Sequence, residues 1–146
     1  MGTVCITMIY RETKDKKYLD HAQYIAQFIL NHPNLPADKI PYWDFNAPGI
    51  PNTYRDASAA AIIASALIEL AGYSEGDIAK SYMNTAGTIL RPLSSPAYKA
   101  AIGENGGFIL KHSVAHMPKN GEVDVPLPYA DYYYTEAMLR FRNTLR

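Results

Sequence analysis

Asp56-Ala57-Ser58-Ala59-Ala60-Ala61-Ile62-Ile63-Ala64-Ser65-Ala66-Leu67-Ile68-Glu69-Leu70 decides how the chain folds. From Ala57 onward only Ser58, Ser65 and Glu69 are polar. A helix that is apolar on nearly every side is enclosed by its neighbours. Its many alanines let those neighbours come close. Asp56 suits the N-cap, where a short side chain accepts from the first free amides. Gly72 suits the C-terminal cap.

Upstream, Ile40 to Arg55 is a loop rich in aromatics and prolines, and it carries Trp43, the one tryptophan. Before it, Thr13 to Asn31 reads as an amphipathic helix. Leu19, Ala22, Ile25, Ala26 and Ile29 share one face, opposite Lys17, Asp20, Gln23 and Gln27. Pro33 and Pro36 end it. Residues 2–10, including the apolar run Val4 to Tyr10, read as the end of a buried element.

Downstream, Ser74 and Asp77 form a capping-box-like start. The helix they open places Ile78, Ala79, Tyr82, Ala86, Ile89 and Leu90 on one face, and Pro92 is expected to stop it. Ser95-Pro96 predicts a short helix to about Ile102, and Asn105-Gly106-Gly107 a turn. Phe108 to Leu110 reads as extended. A second long loop covers Lys111 to Leu127, and a last helix runs from about Tyr129 to Leu145.

Apolar helices thus alternate with amphipathic ones. Connections from buried to outer helices are short, and those from outer to buried are long and rich in functional residue types. This pattern predicts an all-α fold, an incomplete α/α toroid. It has inner and outer helices in alternation and its long loops on one face. No repeat of 20 to 50 residues stands out, which disfavours a regular solenoid.

At 146 residues the chain is one domain or a piece of one. Zero net charge without a basic run argues against nucleic acid as a partner. Cys5 alone excludes an internal disulfide and a cysteine-based zinc site. No segment approaches the roughly 20 apolar residues of a membrane helix. No targeting signal is visible, so the expected location is cytoplasmic as the chain stands, or periplasmic for a full-length parent.

Five runs carry a resemblance. They are Met8-Ile9-Tyr10-Arg11-Glu12-Thr13-Lys14-Asp15, Pro41-Tyr42-Trp43-Asp44-Phe45, Arg55-Asp56-Ala57-Ser58-Ala59-Ala60-Ala61, Leu110-Lys111-His112-Ser113-Val114 and Tyr129-Ala130-Asp131-Tyr132-Tyr133-Tyr134-Thr135-Glu136-Ala137. In this order and spacing they resemble the C-terminal part of unsaturated glucuronyl hydrolases, glycoside hydrolase family 88. The resemblance covers nearly the whole chain. It implies an (α/α)6 barrel of six hairpins, of which residues 1–146 would be two to three in a single partial domain. It also implies an oligosaccharide substrate with a 4,5-unsaturated uronic acid at its non-reducing end, hydrated without metal or organic cofactor. The family's acid/base aspartate and its partner would lie upstream of this chain, so no catalytic residue is assigned here and the chain alone is expected to be inactive. Residues 2–7 fit the family's Trp-Gly-x-Tyr-Gly pattern poorly.

The candidate substrate-binding residues are His112, Ser113, Trp43, Asp44 and Arg55. By the resemblance, a histidine of the second loop reaches the substrate; His112 takes that place, and His116 competes. Asp44 and Asp56 admit an acid–base reading across a sugar; they also admit a structural one, with Asp56 as helix cap and Asp44 as loop tie. Trp43 suits stacking on a sugar or plugging the loop. Arg55 and Lys111 suit a carboxylate. His112 and His116 are four apart, a spacing that makes a metal pair only on a helix, and the surrounding glycines and prolines argue for loop. Tyr132, Tyr133 and Tyr134 read mostly as core. An incomplete toroid would leave Val4 to Tyr10 and Ala57 to Leu70 bare, which predicts a homo-oligomer or a complementary fragment. The alternative to an enzyme remnant is a helical interaction or sugar-binding module.

Overall fold

The computed structural model describes residues 2–144. Five helices account for most of them: α1 (Gly2–Thr13), α2 (Lys16–Leu30), α3 (Ala57–Ala71), α4 (Gly76–Leu93) and α5 (Pro128–Thr144). Helices α1 and α2 pack as one hairpin and α3 and α4 as a second. α3 lies against both α1 and α5. The odd helices are therefore neighbours and the even ones sit outside them, as expected of a partial toroid. None of these helices is long and apolar enough to cross a membrane.

Helix α3 forms the centre. Twelve of its fifteen residues are buried, and Ala57, Ala60, Ala61 and Ala64 are wholly so. Against it lie Tyr82, Ala86, Ile89, Leu90 and Leu93 of α4 and Ala130, Tyr134 and Ala137 of α5. A second, smaller cluster joins Val4 of α1 to Ile62 and Ala66 of α3. Small residues on α3 and α5 bring the backbones close, so dispersion contacts accumulate along the helix. Glu69, on α3, gathers Arg140 of α5 at 2.6 Å and Arg11 of α1 at 3.2 Å. Arg140 also reaches Glu136 and the Ser65 carbonyl. These polar contacts tie the three inner helices across their apolar surfaces.

Several expectations are corrected. Ala57 to Leu70 is no free docking face, because α4 and α5 of the same chain already cover it. Helix α1 is buried only along Thr3, Val4 and Thr7, while Cys5, Met8 and Ile9 are exposed. Helix α2 starts at Lys16, not Thr13, since Asp15 caps it by accepting from the Lys17 amide. Gly72 does cap α3 but in a right-handed conformation. Ser74 opens no capping box: its hydroxyl donates to the Leu70 carbonyl, and α4 begins after Glu75. Pro92 lies inside the last turn of α4, which continues to the fully buried Leu93. A proline there loses only one helix bond. Residues 95–102 make a turn and an isolated bridge, Lys99 with Leu110, instead of a helix. Of the three tyrosines on α5, Tyr134 is buried, Tyr133 half-buried and Tyr132 exposed. Leu145, the expected end of α5, lies outside the described residues, as does Met1.

The largest departure is a hairpin where a loop was expected. β1 (Ser113–His116) pairs antiparallel with β2 (Gly121–Val125). Asn120 turns the chain in a left-handed conformation at φ 49°, which asparagine tolerates well.

Candidate functional site

The loop before α3, the turn after α4 and the hairpin meet at the N-terminal end of α3. The loop closes on itself first. Tyr42 and Arg55 bridge, the Trp43 amide donates to the Tyr54 carbonyl at 3.1 Å, and the Asp56 amide donates to the Pro41 carbonyl at 2.9 Å. This places the Arg55 guanidinium over the Tyr42 ring, 5.1 Å from its centre. Its Nε donates to the Ile40 carbonyl, and its other arm is paired with Asp38.

Asp56 then joins loop, helix and hairpin. One carboxylate oxygen accepts from the Ser58 amide at 2.9 Å, the Ser58 hydroxyl at 2.6 Å and the Val114 amide at 3.3 Å. The Ala57 amide donates to the His112 carbonyl at 3.0 Å. From α5, Asp131 accepts from the amides of Ile109 and Leu110 at 2.7 and 2.8 Å. The segment that leads into His112 is thus fixed from both α3 and α5.

Burial pushes the Asp56 carboxyl above its ordinary value of 3.8, opposed by its bonds from Ser58, Val114 and Ala59. Above pH 3.8 the folded state therefore holds this proton longer than the unfolded state does. The contribution to stability is complete below the unfolded value and is lost as pH rises through the folded one. Asp56→Asn keeps an equally good cap and removes the titration. We expect the melting temperature of Asp56→Asn, relative to wild type, to rise as the pH is raised above 3.8. A difference constant with pH contradicts this.

His112 stands in a left-handed conformation at φ 64°. Its Nδ1 lies 2.6 Å from the Asp124 carboxylate, and its ring meets Tyr98 edge-on at 5.9 Å between centres. Together with Thr53, Tyr54, Arg55 and Ala97 these residues line an open pocket of about 340 Å³. A cation, an imidazole, a carboxylate and aromatic faces on one concave surface suit a polar, ring-shaped ligand.

Of the residues expected at the site, the fold brings His112 and Arg55 into this pocket. Trp43 is half-buried beside it and does not line it. Asp44 is exposed and its carboxylate accepts from the Asn46 amide at 2.7 Å, so it ties the loop. Asp56 is the helix cap. Ser113 is fully buried, with no partner for its hydroxyl. The metal spacing of His112 and His116 dissolves, because one precedes β1 and the other ends it. Sequence reasoning missed Tyr98 and Asp124. The Asn120-Gly121 pair, a strong hairpin signal, would have placed residues near 113 across from residues near 125.

No protein-family model matches the chain. Individual proteins do. An unsaturated glucuronyl hydrolase of Formosa agariphila is 48% identical over 139 residues, 95% of this chain and 34% of that protein. One from Bacillus sp. strain GL1 is 34% identical over 92% of this chain and 37% of its own length. The crystal structure of an unsaturated glucuronyl hydrolase specific for heparin superposes with a TM-score of 0.95 at 51% identity. That match covers 99% of this chain and 38% of the other.

The chain is homologous to the C-terminal part of unsaturated glucuronyl hydrolases.

It spans about a third of the length of the curated hydrolases it matches. A mutant of the unsaturated glucuronyl hydrolase of Streptococcus agalactiae, solved in complex with dGlcA-GalNAc6S, gives a TM-score of 0.86 at 30% identity over 96% of this chain and 37% of its own. The partial α/α toroid seen here is the corresponding portion of these hydrolase folds.

Proposed function

We propose that residues 1–146 are a single partial α/α domain that supplies part of the substrate-binding face of an unsaturated glucuronyl hydrolase. The substrate is a glycosaminoglycan disaccharide with a 4,5-unsaturated uronic acid at its non-reducing end, of the heparin type. One observation carries this reading: the 51% identity and 0.95 TM-score to the heparin-specific hydrolase. In this reading His112 meets the sugar. Arg55 lends positive potential, although its guanidinium is already shared with Asp38. Trp43 forms the rim. Asp44 acts by holding the loop, and Ser113, next to His112 in the chain, keeps an unpartnered hydroxyl for the assembled face.

Hydration of a vinyl ether needs a proton donor at the double bond. Asp56 is committed to its cap and Asp44 to its turn, and the resemblance puts the acid/base aspartates in the portion this chain does not span. Loss of one acid/base group typically costs about 10²- to 10⁴-fold. We expect no measurable loss of ultraviolet absorbance when this chain alone meets an unsaturated heparin disaccharide. Turnover should appear when the upstream portion of the heparin-specific relative is added. Turnover by the chain alone that Asp44→Asn or Asp56→Asn abolishes would overturn this assignment.

A second reading is a non-catalytic helical interaction or sugar-binding module, completed by self-association or by a partner. It is favoured by the exposed apolar side chains Met8 and Ile9 on α1 and Tyr132 and Leu139 on α5. Patches of this kind mark contact surfaces. A concentration-dependent sedimentation coefficient supports it; a monomer at all concentrations opposes it.

A further inference from the structure

Asp124 is the extra residue of a β-bulge. Ser113 pairs with Val125 and Val114 pairs with Val123, so Asp124 is left without an opposite. Bulges of this kind re-aim a side chain and gather beside active sites. Here the bulged backbone is left-handed, at φ 58°, and the carboxylate it redirects lands on His112 Nδ1. The histidine is held on two further sides, by its carbonyl on the Ala57 amide and by the Tyr98 ring. Nε2 has no hydrogen-bond partner among the described residues, and the ring lines the pocket with Arg55.

We propose that Asp124 is a positioning residue that fixes His112 in the Nδ1–H tautomer, leaving Nε2 free to accept a hydrogen bond from a hydroxyl of the bound sugar. The proposal rests on the sugar-binding reading of this pocket. The chemistry follows from the donor set. An ionised carboxylate only accepts, so the nitrogen facing it must carry the proton, and in a neutral imidazole the other nitrogen is then an acceptor. A sugar hydroxyl supplies the matching donor. Without the carboxylate both tautomers are open, and the ring offers an acceptor only part of the time.

The test reads the tautomer directly, on the whole 146-residue chain under conditions where the imidazole is neutral. Nitrogen-15 NMR distinguishes the two ring nitrogens, and the His112 signals are assigned by their loss in His112→Gln. Wild type should show the Nδ1–H form. Asp124→Asn is nearly isosteric, and asparagine tolerates the left-handed backbone, so the hairpin should survive; an unchanged melting temperature verifies this. Its amide can donate to Nδ1, which should move His112 toward the Nε2–H form, as the equivalent change misaligns a catalytic histidine in serine proteases. Affinity for an unsaturated heparin disaccharide should fall about tenfold, the worth of one hydrogen bond. Asp124→Glu, which keeps the carboxylate, should restore the Nδ1–H form. A wild-type ring in the Nε2–H form, or a tautomer indifferent to Asp124→Asn, overturns the positioning role and leaves the substrate reading intact. Absence of disaccharide binding by wild type overturns the sugar assignment, and the tautomer measurement still rules on Asp124.

Discussion

Asp56→Ala should lower the stability of the chain by about 3 kcal/mol. Three donors converge on this one carboxylate: the Ser58 amide, the Ser58 hydroxyl and the Val114 amide. Loss of a capping side chain alone costs about 1 kcal/mol. The Val114 amide belongs to a buried residue, and a buried donor left unpaired adds about 1–3 kcal/mol. For a domain of this size the change amounts to a fall of roughly 10 °C in melting temperature. The damage should not stay local. Asp56 holds β1 to the start of α3, so the His112 pocket should loosen with it. Hydrogen exchange at Val114 and in β1 should accelerate in Asp56→Ala and stay slow in Asp56→Asn. Equal protection in the two variants would mean that the cap does not organise the hairpin.

Leu67→Ala should be as costly, about 3–4 kcal/mol. Leu67 is 1% exposed, and it lies where Thr3 of α1, Ala26, Ile29 and Leu30 of α2, and Ile63 of α3 meet. Truncation removes the buried methyl groups and opens a gap between the three helices. The loss is then transfer energy plus cavity, with little room for the walls to collapse. Chemical denaturation should show a lower midpoint with an unchanged slope. A loss under about 1 kcal/mol would mean that α1 and α2 close over the gap, and that the α1–α2 hairpin is only loosely fixed to α3.

The sequence made the helical frame legible for a physical reason. An unbroken run from Ala57 to Leu70 has one solution, enclosure, and Asp56 marks its start by chemistry that operates within two residues. The five runs that carry the resemblance extended this to the whole chain. Local signals failed where a tertiary contact outvoted them. Ser74 looked like a cap, yet it bonds back to Leu70. Pro92 looked like a stop, yet Leu93 is worth burying. The hairpin was hidden because β1, Ser113-Val114-Ala115-His116, has no polar–apolar alternation, even though β2 alternates. The site was legible only in part for the same reason. His112 was named, but its partner Asp124 lies twelve residues away across a hairpin that the Asn120-Gly121 turn alone marks in the sequence. Arg55 was named as a carboxylate ligand, and nothing local revealed that Asp38 already holds it.

If His112 presents a working part of a uronate-binding face, this chain should bind the sugar by itself. The most direct measurement is a calorimetric titration of an unsaturated heparin disaccharide into the wild-type chain and into His112→Ala. The structure predicts saturable binding by wild type, weakened about tenfold or more once the imidazole and its hydrogen bond are gone. No binding at any soluble concentration, or equal binding by both proteins, would contradict it.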